Sequence, residues 1–388
     1  MLDRERDPIS KNSWDDVLLG QPGLGIKISV ASQMKGKGSM RSTNLNGIES
    51  IFGLFLCLSF LIVPCHKVSA AESEAERTAK LVEGAKKEGK LVWYTAGALE
   101  DSEKLLMRFK EKYPFIETDM YRTGAEGMIA RVMTETRAKT YLWDLVQIGG
   151  IKDEIIKRNG HTAKYLSPQR QFIPEVFRDP EGYWTAIYVI FYITAYNTDL
   201  VPAREVPKTY ADLLDPKWKG KMAMDTNSDD WFANMLKIMG EQKGLEYMKR
   251  LAQQNIQFRT GRTVNTQMLA AGEFSIGIAL YNQRVEEWKR KGSAVDWVVA
   301  EPVVPEMNPI AISAHAPHPN AAKLFVDFVL SREGQELISS FLRIPVRADV
   351  EAQIPGLKLK DKKIWPVDLK IADDYERYLK LFREIFKL

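Results

Sequence analysis

Cysteine is nearly absent. The 388-residue chain has two, Cys57 and Cys65, both in one apolar N-terminal stretch. Downstream of it no disulfide, thiol nucleophile or cysteine-bearing zinc site is available. Histidine is scarce too, with four in all. His315 and His318 flank Pro317 with two residues between them, which is not the helical H-x-x-x-H spacing, and no zinc site is expected. His161 follows Gly160 at a helix end and reads as a solvent-facing cap. The G-x-S-x-G elbow and the phosphate-binding G-x-x-x-x-G-K-S/T loop are both missing. Asp229-Asp230 and Asp373-Asp374 are adjacent carboxylates, but adjacency in sequence does not make a catalytic pair. A surplus of one charge is also lacking. Beyond residue 70 the chain carries 47 basic and 45 acidic residues, so no nucleic-acid surface is expected.

What is present begins with Ile51 to Pro64, IFGLFLCLSFLIVP, a charge-free run followed by Val68-Ser69-Ala70. Lys35, Lys37 and Arg41 precede it. A basic start, a short apolar core and small residues at a cut site describe a secretory signal. The run is short for a membrane helix, which needs about 20 apolar residues. An uncleaved anchor is the alternative. Residues 1–33 precede the basic segment without periodicity, and translation is expected to start at Met34 or Met40. Pro64 stands before Cys65, which argues against lipid attachment there. A periplasmic location follows.

The exported part repeats one unit: a short apolar strand, a polar or glycine-bearing loop, then an amphipathic helix. Leu91–Tyr94 leads into Thr95-Ala96-Gly97. Glu117–Tyr121 leads into Arg122-Thr123-Gly124-Ala125-Glu126-Gly127. Leu145–Ile148 leads into Gly149-Gly150. Lys221–Met224 leads into Asp225-Thr226-Asn227. Ile256–Thr260 leads into Gly261-Arg262-Thr263. Phe274–Leu280 leads into Tyr281-Asn282-Gln283. Alternating strands and helices predict an α/β fold with mostly parallel sheets. Ligands of such folds sit outside the carboxyl ends of the strands, where free helix N–H groups favour anions.

Residues 182–200 form an aromatic-rich strand, read as the first crossing between two lobes. Val295–Val304 is the second strand-like stretch, and EMNPIAISAHAPHPNAAKLFVDFVLSREGQELI, from Glu306 on, reads as a loop and an amphipathic helix. The expected division is 1–70 (extension and signal), 71–190 (first lobe), 191–297 (second lobe) and 298–388 (the return to the first lobe, with the C-terminal helices). The hinge falls near Tyr188–Asn197 and Val298–Pro309.

Four segments, KLVWYTAGALED, YNTDLVPAREVPKTYADLLDPKWKGKMAMD, AAGEFSIGIAL and HAPHPNAAKLFVDFVLSREGQELI, together resemble the extracellular solute-binding proteins of bacterial ABC importers. The resemblance runs from about Gly84 to the end and lies nearest the ferric-iron-binding branch. It implies the type II periplasmic-binding-protein fold: two α/β lobes, a two-strand hinge and a ligand cleft between the lobes. It also implies delivery to an ABC permease and ATPase complex, and a monomer without cofactor is expected.

Ferric binders of this branch usually hold the metal with two adjacent tyrosines after the strand that resembles Phe274–Leu280. Here that pair falls on Asn282-Gln283, one position past Tyr281, and the histidine often found after the first strand is missing from Thr95–Leu99. Ferric ion prefers anionic oxygen ligands, whereas amides suit organic polar groups. The expected solute is therefore small, polar or anionic, and organic. Its candidate contacts are Thr95, Gly97, Arg122, Thr123, Gly124, Glu126, Gly149, Asp225, Thr226, Asn227, Arg262, Thr263, Tyr281, Asn282 and Gln283, with no metal ligand and no catalytic residue.

Each candidate has a plainer reading. Tyr281-Asn282-Gln283 suits a helix cap, and the acidic run at 225–230 suits a turn before a helix dipole. Arg122 and Arg262 suit surface ion pairs. Trp184 and Trp231 suit the core. Glu126, Asp225, Asp229 and Asp230 would equally suit a cation or an amine. Ferric iron stays as one alternative. An enzyme or a receptor-coupled sensor on the same fold is the other.

Overall fold

The computed structural model describes residues 73–354, 357, 362–365 and 367–388. The signal segment, the start-site reading and Cys65 lie outside them. Among the described residues no helix is long and apolar enough to cross a membrane.

The elements follow in chain order as α1 (Glu74–Glu88), β1 (Lys90–Thr95), α2 (Leu99–Lys112), β2 (Glu117–Arg122), α3 (Ala125–Arg137), β3 (Leu145–Gln147), α4 (Gly150–Arg158), β4 (Thr162–Ala163), β5 (Trp184–Asn197), β6 (Met222–Asp225), α5 (Asp229–Met239), α6 (Glu241–Ala252), β7 (Gln257–Arg259), α7 (Arg262–Ala270), β8 (Ile276–Tyr281), α8 (Asn282–Arg290), β9 (Val295–Val298), β10 (Pro305–Ser313), α9 (Pro319–Leu330), α10 (Arg332–Ser340), β11 (Ile344–Pro345) and α11 (Tyr375–Phe386).

The strand order is β2-β1-β3-β10-β5-β8-β6-β7. β1 runs parallel to β2 and β3, and β6 runs parallel to β7 and β8. β5 is buried along its whole length and joins the two halves. Its first part pairs with β10 up to Phe191, and from Tyr192 on it pairs with β8 and β9. A fourteen-residue strand with no polar face is what a shared central strand requires, because both of its faces are covered.

Two apolar cores fill the interior: the larger runs through the junction, from Trp93 to Ala223, Leu269 and Leu280, and the smaller lies mainly in the second half. Trp93, Phe109, Phe325 and Phe328 anchor the first, with ring centroids 5.0–6.3 Å apart. Phe232, Phe258, Phe382 and Phe386 anchor the second. The C-terminal helix α11 therefore packs on the second lobe, not on the first to which the chain returns. Its Tyr378, Phe382 and Phe386 recur at helical spacing on one face, and α5 and β7 supply the apolar surface that covers them.

The strand β10 departs from the loop expected from Glu306 on. Pro305 and Pro309 suppress the strand signal, but Pro305 opens the strand, where no ladder N–H is needed. Pro309 sits where the register with β5 shifts.

Candidate functional site

The six parallel strands end at Thr95, Arg122, Gln147, Asp225, Arg259 and Tyr281, and each leads into a helix. None of those helices, α2, α3, α4, α5, α7 and α8, has a side-chain cap on its N-terminus. Helices elsewhere are capped. Ser73 caps α1, Ser331 caps α10, and the Glu88 carboxylate accepts from the Asn320 and Ala321 N–H groups of α9. The uncapped α6 and α11 follow directly on a preceding helix. Free N–H groups are thus concentrated where the strands end, a setting that favours negative charge.

On the first lobe the Thr95 hydroxyl accepts from the Gly97 N–H at 2.9 Å and meets the Gln147 side chain. Gln147 Nε2 donates onward to the Tyr188 hydroxyl and to Asn308 Oδ1. Arg122 Nε donates to the Gly97 carbonyl at 3.1 Å, and among the described residues this guanidinium makes no ion pair. Gly124 begins α3, and Thr123 packs beneath Gly127 of that helix. Glu126 is exposed and its carboxylate lies 3.2 Å from Lys152 Nζ. Gly149 is buried where the lobes meet. A Cβ there would lie 3.6 Å from Glu306 Oε1 and 3.8 Å from Asp230 Oδ2.

On the second lobe Asp225 is a turn organiser. Its Oδ1 accepts from the Asn227 and Gly261 N–H groups, and Gly261 reaches it only through a φ of 99° that favours glycine. Its Oδ2 stands 3.5 Å from Arg262 Nη1. Arg262 Nη2 donates to the Asn227 carbonyl at 2.9 Å. The Thr226 hydroxyl pairs with that of Thr260, and Asn227 and Thr263 are exposed.

The Arg262 guanidinium lies 4.4 Å from the Tyr281 ring centre and 5.3 Å from that of Tyr192. Burial works against this cation, but Tyr281, Tyr192, Glu306 and Asp225 hold it charged, above its usual range. β8 bends to make this contact. Ala279 sits at φ 54°, the β5–β8 register shifts beside it, and its carbonyl turns toward Arg262 Nε. A left-handed alanine costs roughly 1–2 kcal/mol, so the site carries backbone strain.

Tyr281 faces the cleft, and the two residues after it each keep one side-chain atom, Asn282 Nδ2 and Gln283 Oε1, without a hydrogen-bond partner among the described residues. Asn282 and Gln283 are buried, and Asn282 Oδ1 accepts from the Phe191 N–H of β5 at 2.8 Å. The amide expected to meet a solute instead fastens α8 to the hinge strand. His318 is tied to Asp144, and the His315 ring lies against Tyr141 with the centroids 4.0 Å apart.

The lobes are joined across the cleft by Lys152 of α4. Its ammonium lies 3.4 Å from Asp230 Oδ2 and 3.8 Å from Asp229 Oδ2, both on α5. It also lies over the ring of Tyr375, whose hydroxyl donates to Asp229 at 2.6 Å. Burial, with Asp229 and Glu306 nearby, pushes the Asp230 carboxyl up to about 7 against the pull of Lys152.

Several cleft residues escape a loop-by-loop reading. Tyr188, Tyr192, Glu306 and Asn308 lie on the hinge strands, and Gln147 and Lys152 lie inside regular elements. The polar signal was there, since Glu306 and Asn308 interrupt an apolar strand at a spacing of two. Among the described residues no group of three or more His, Cys, Asp or Glu could hold a metal ion.

The family described as bacterial extracellular solute-binding protein matches residues 153–366. An uncharacterized protein of Haemophilus influenzae is 30% identical over 290 residues, covering 70% of this chain and 82% of the relative. The structure of the periplasmic binding protein AfuA from Actinobacillus pleuropneumoniae, with exogenous fructose-6-phosphate bound, superposes with a TM-score of 0.69 at 26% identity. It covers 77% of this chain and 99% of that one. Iron-bound HitA from Pseudomonas aeruginosa superposes with a TM-score of 0.68 at 21% identity, covering 76% and 99%. The last likeness shows the shared fold.

Proposed function

This chain belongs to the bacterial extracellular solute-binding proteins, and on that premise we propose that it captures a small polar organic anion between its lobes and delivers it to an ABC permease. The observation that carries this reading is the Arg262 guanidinium held charged over Tyr281 and Tyr192 in the cleft. Arg122, without an ion pair among the described residues, stands at the uncapped start of α3 and supplies a second cation. Together they suit a phosphate, sulfonate or carboxylate through bidentate contacts. The fructose-6-phosphate in the AfuA structure supports the same ligand class.

The ferric alternative has its own observation. Tyr192, Tyr281, Glu306 and Asp230 bring hard oxygen donors together. Yet burial keeps the Tyr281 phenol protonated, well above its usual range, and Arg262 already occupies the ring face. A ferric ion would have to displace both a proton and a neighbouring cation.

The action is mechanical. Solute contacts both lobes, and closure about β5 and the 298–305 segment is favoured by the tighter grip of the closed form. The closed form then docks on a periplasm-facing permease whose ATPase supplies the energy. None of these steps calls for a cofactor or a bond made or broken in the solute.

A thermal-shift screen of the purified protein tests the reading. Sugar phosphates, phosphonates, sulfonates, ferric citrate, ferric ion with carbonate, polyamines and thiamine form the panel. An organic anion is expected to raise the melting temperature by mass action. A rise with ferric ion alone overturns the reading.

A further inference from the structure

Glu306 and Asn308 are two apart on β10 and so share one face of the strand. Their partners on β5 are Ile190 and Tyr188, so this face carries Tyr188 and Tyr192 as well and forms the floor of the cleft. Each of the two has one buried polar atom without a hydrogen-bond partner: Oε2 of Glu306, an acceptor, and Nδ2 of Asn308, a donor. Asn308 Oδ1 is already taken by Gln147 Nε2. The rest of the strand is mostly apolar, with Met307, Ile310, Ala311 and Ile312 buried. Orphaned polar atoms in such a strand are costly, and the shape of the site explains them only if something else pairs with them. Gly149 keeps the space before Glu306 open, because a side chain there would project toward its carboxylate.

We propose that Glu306 and Asn308 read a hydroxyl group of the solute, Oε2 accepting its proton and Nδ2 donating to a solute oxygen. The proposal rests on the organic-anion reading and narrows it to a polyol-bearing anion such as a sugar phosphate. A hydroxyl both donates and accepts, which matches an acceptor and a donor carried two residues apart on one strand face. An ammonium would only donate, leaving Asn308 Nδ2 unpaired, and it would face Arg262 beside Glu306. A plain alkyl anion would leave both atoms orphaned.

Titration calorimetry of the purified protein with fructose 6-phosphate, hexyl phosphate and inorganic phosphate tests this. The wild type is expected to bind fructose 6-phosphate at least about tenfold more tightly than hexyl phosphate, since an unpaired buried polar group costs that much or more. Glu306→Ala and Asn308→Ala each erase the ratio of fructose 6-phosphate to hexyl phosphate affinity that the wild type shows, whatever either does to the binding of phosphate itself. Glu306→Gln, which keeps an acceptor oxygen, retains part of it. Glu306→Ala also removes a negative charge that helps hold Arg262 charged, so the melting temperature of each variant is measured alongside its affinities to separate a folding defect from a recognition defect. Binding of both organic phosphates without preference, or a preference untouched by the alanine variants, overturns this inference alone. Binding of none of the three probes overturns this inference, while a thermal shift with a sulfonate, phosphonate or carboxylate in the same preparation would leave the organic-anion reading standing.

Discussion

Lys152 and Asp230 meet across the cleft, the ammonium of one lobe 3.4 Å from the carboxylate of the other. Their side chains are only 7% and 15% exposed, so the pair is screened little by solvent. Removing one partner of a buried pair costs about 3–5 kcal/mol, because the other charge stays behind unpaired. Lys152→Met should lower the melting temperature accordingly. It should also enlarge the radius of gyration of the solute-free protein in X-ray scattering, because Asp229 and Asp230 no longer have a cation on the facing lobe. An unchanged radius and an unchanged melting temperature would show that the pair does not hold the lobes together.

The same carboxylate predicts a pH dependence. Asp230 is raised from 3.8 to about 7 by burial, so the folded form binds its proton more tightly than the unfolded chain. Its contribution is present at low pH and declines as pH rises from 3.8 toward 7. Asp230→Asn cannot ionise. The melting temperature of the variant minus that of wild type should therefore rise across this window and level off above it. A difference that is flat between pH 4 and 7 would contradict the assignment.

Asn282 carries a structural prediction. Its Oδ1 is the partner of the buried Phe191 N–H. Asn282→Ala should cost about 1–3 kcal/mol by orphaning that donor. Denaturant unfolding measures it. As a solute contact alone, the role the sequence suggested, Asn282 could be truncated without loss of stability in the empty protein. A loss below about 0.5 kcal/mol would restore that role.

Arg122→Gln should do the reverse. The residue is exposed, and its hydrogen bond to the Gly97 carbonyl is its one described tie to the lobe. Stability should stay within about 0.5 kcal/mol of wild type. Affinity for an anionic solute should fall about tenfold or more, as expected for a lost charge-assisted hydrogen bond. Unchanged affinity in calorimetry would remove Arg122 from the site.

The strand–loop–helix rhythm made the fold legible, because apolar runs and glycine-bearing loops alternate along the chain. Candidate cleft positions were legible at strand ends, where Arg262 and Tyr281 stand at abrupt changes of composition. It was not legible on the hinge. Tyr188 and Tyr192 look like any other aromatic in a buried strand, and Pro305 and Pro309 hid the strand that carries Glu306. Asn282 misled for a different reason. A polar residue after a strand reads the same whether it faces a solute or a backbone N–H, and only the three-dimensional register of β5 tells the two apart. The docking of α11 on the second lobe was beyond reach of pattern alone, because an amphipathic face says that something covers it and not which lobe does.

The central claim is that the cleft binds an organic anion rather than iron. The most direct measurement is paired titration of one protein preparation, with fructose 6-phosphate by calorimetry and with ferric citrate by visible absorption. The account predicts saturable binding of the sugar phosphate and no tyrosinate-to-iron band. A coloured, saturable ferric complex together with silence toward the sugar phosphate would contradict it.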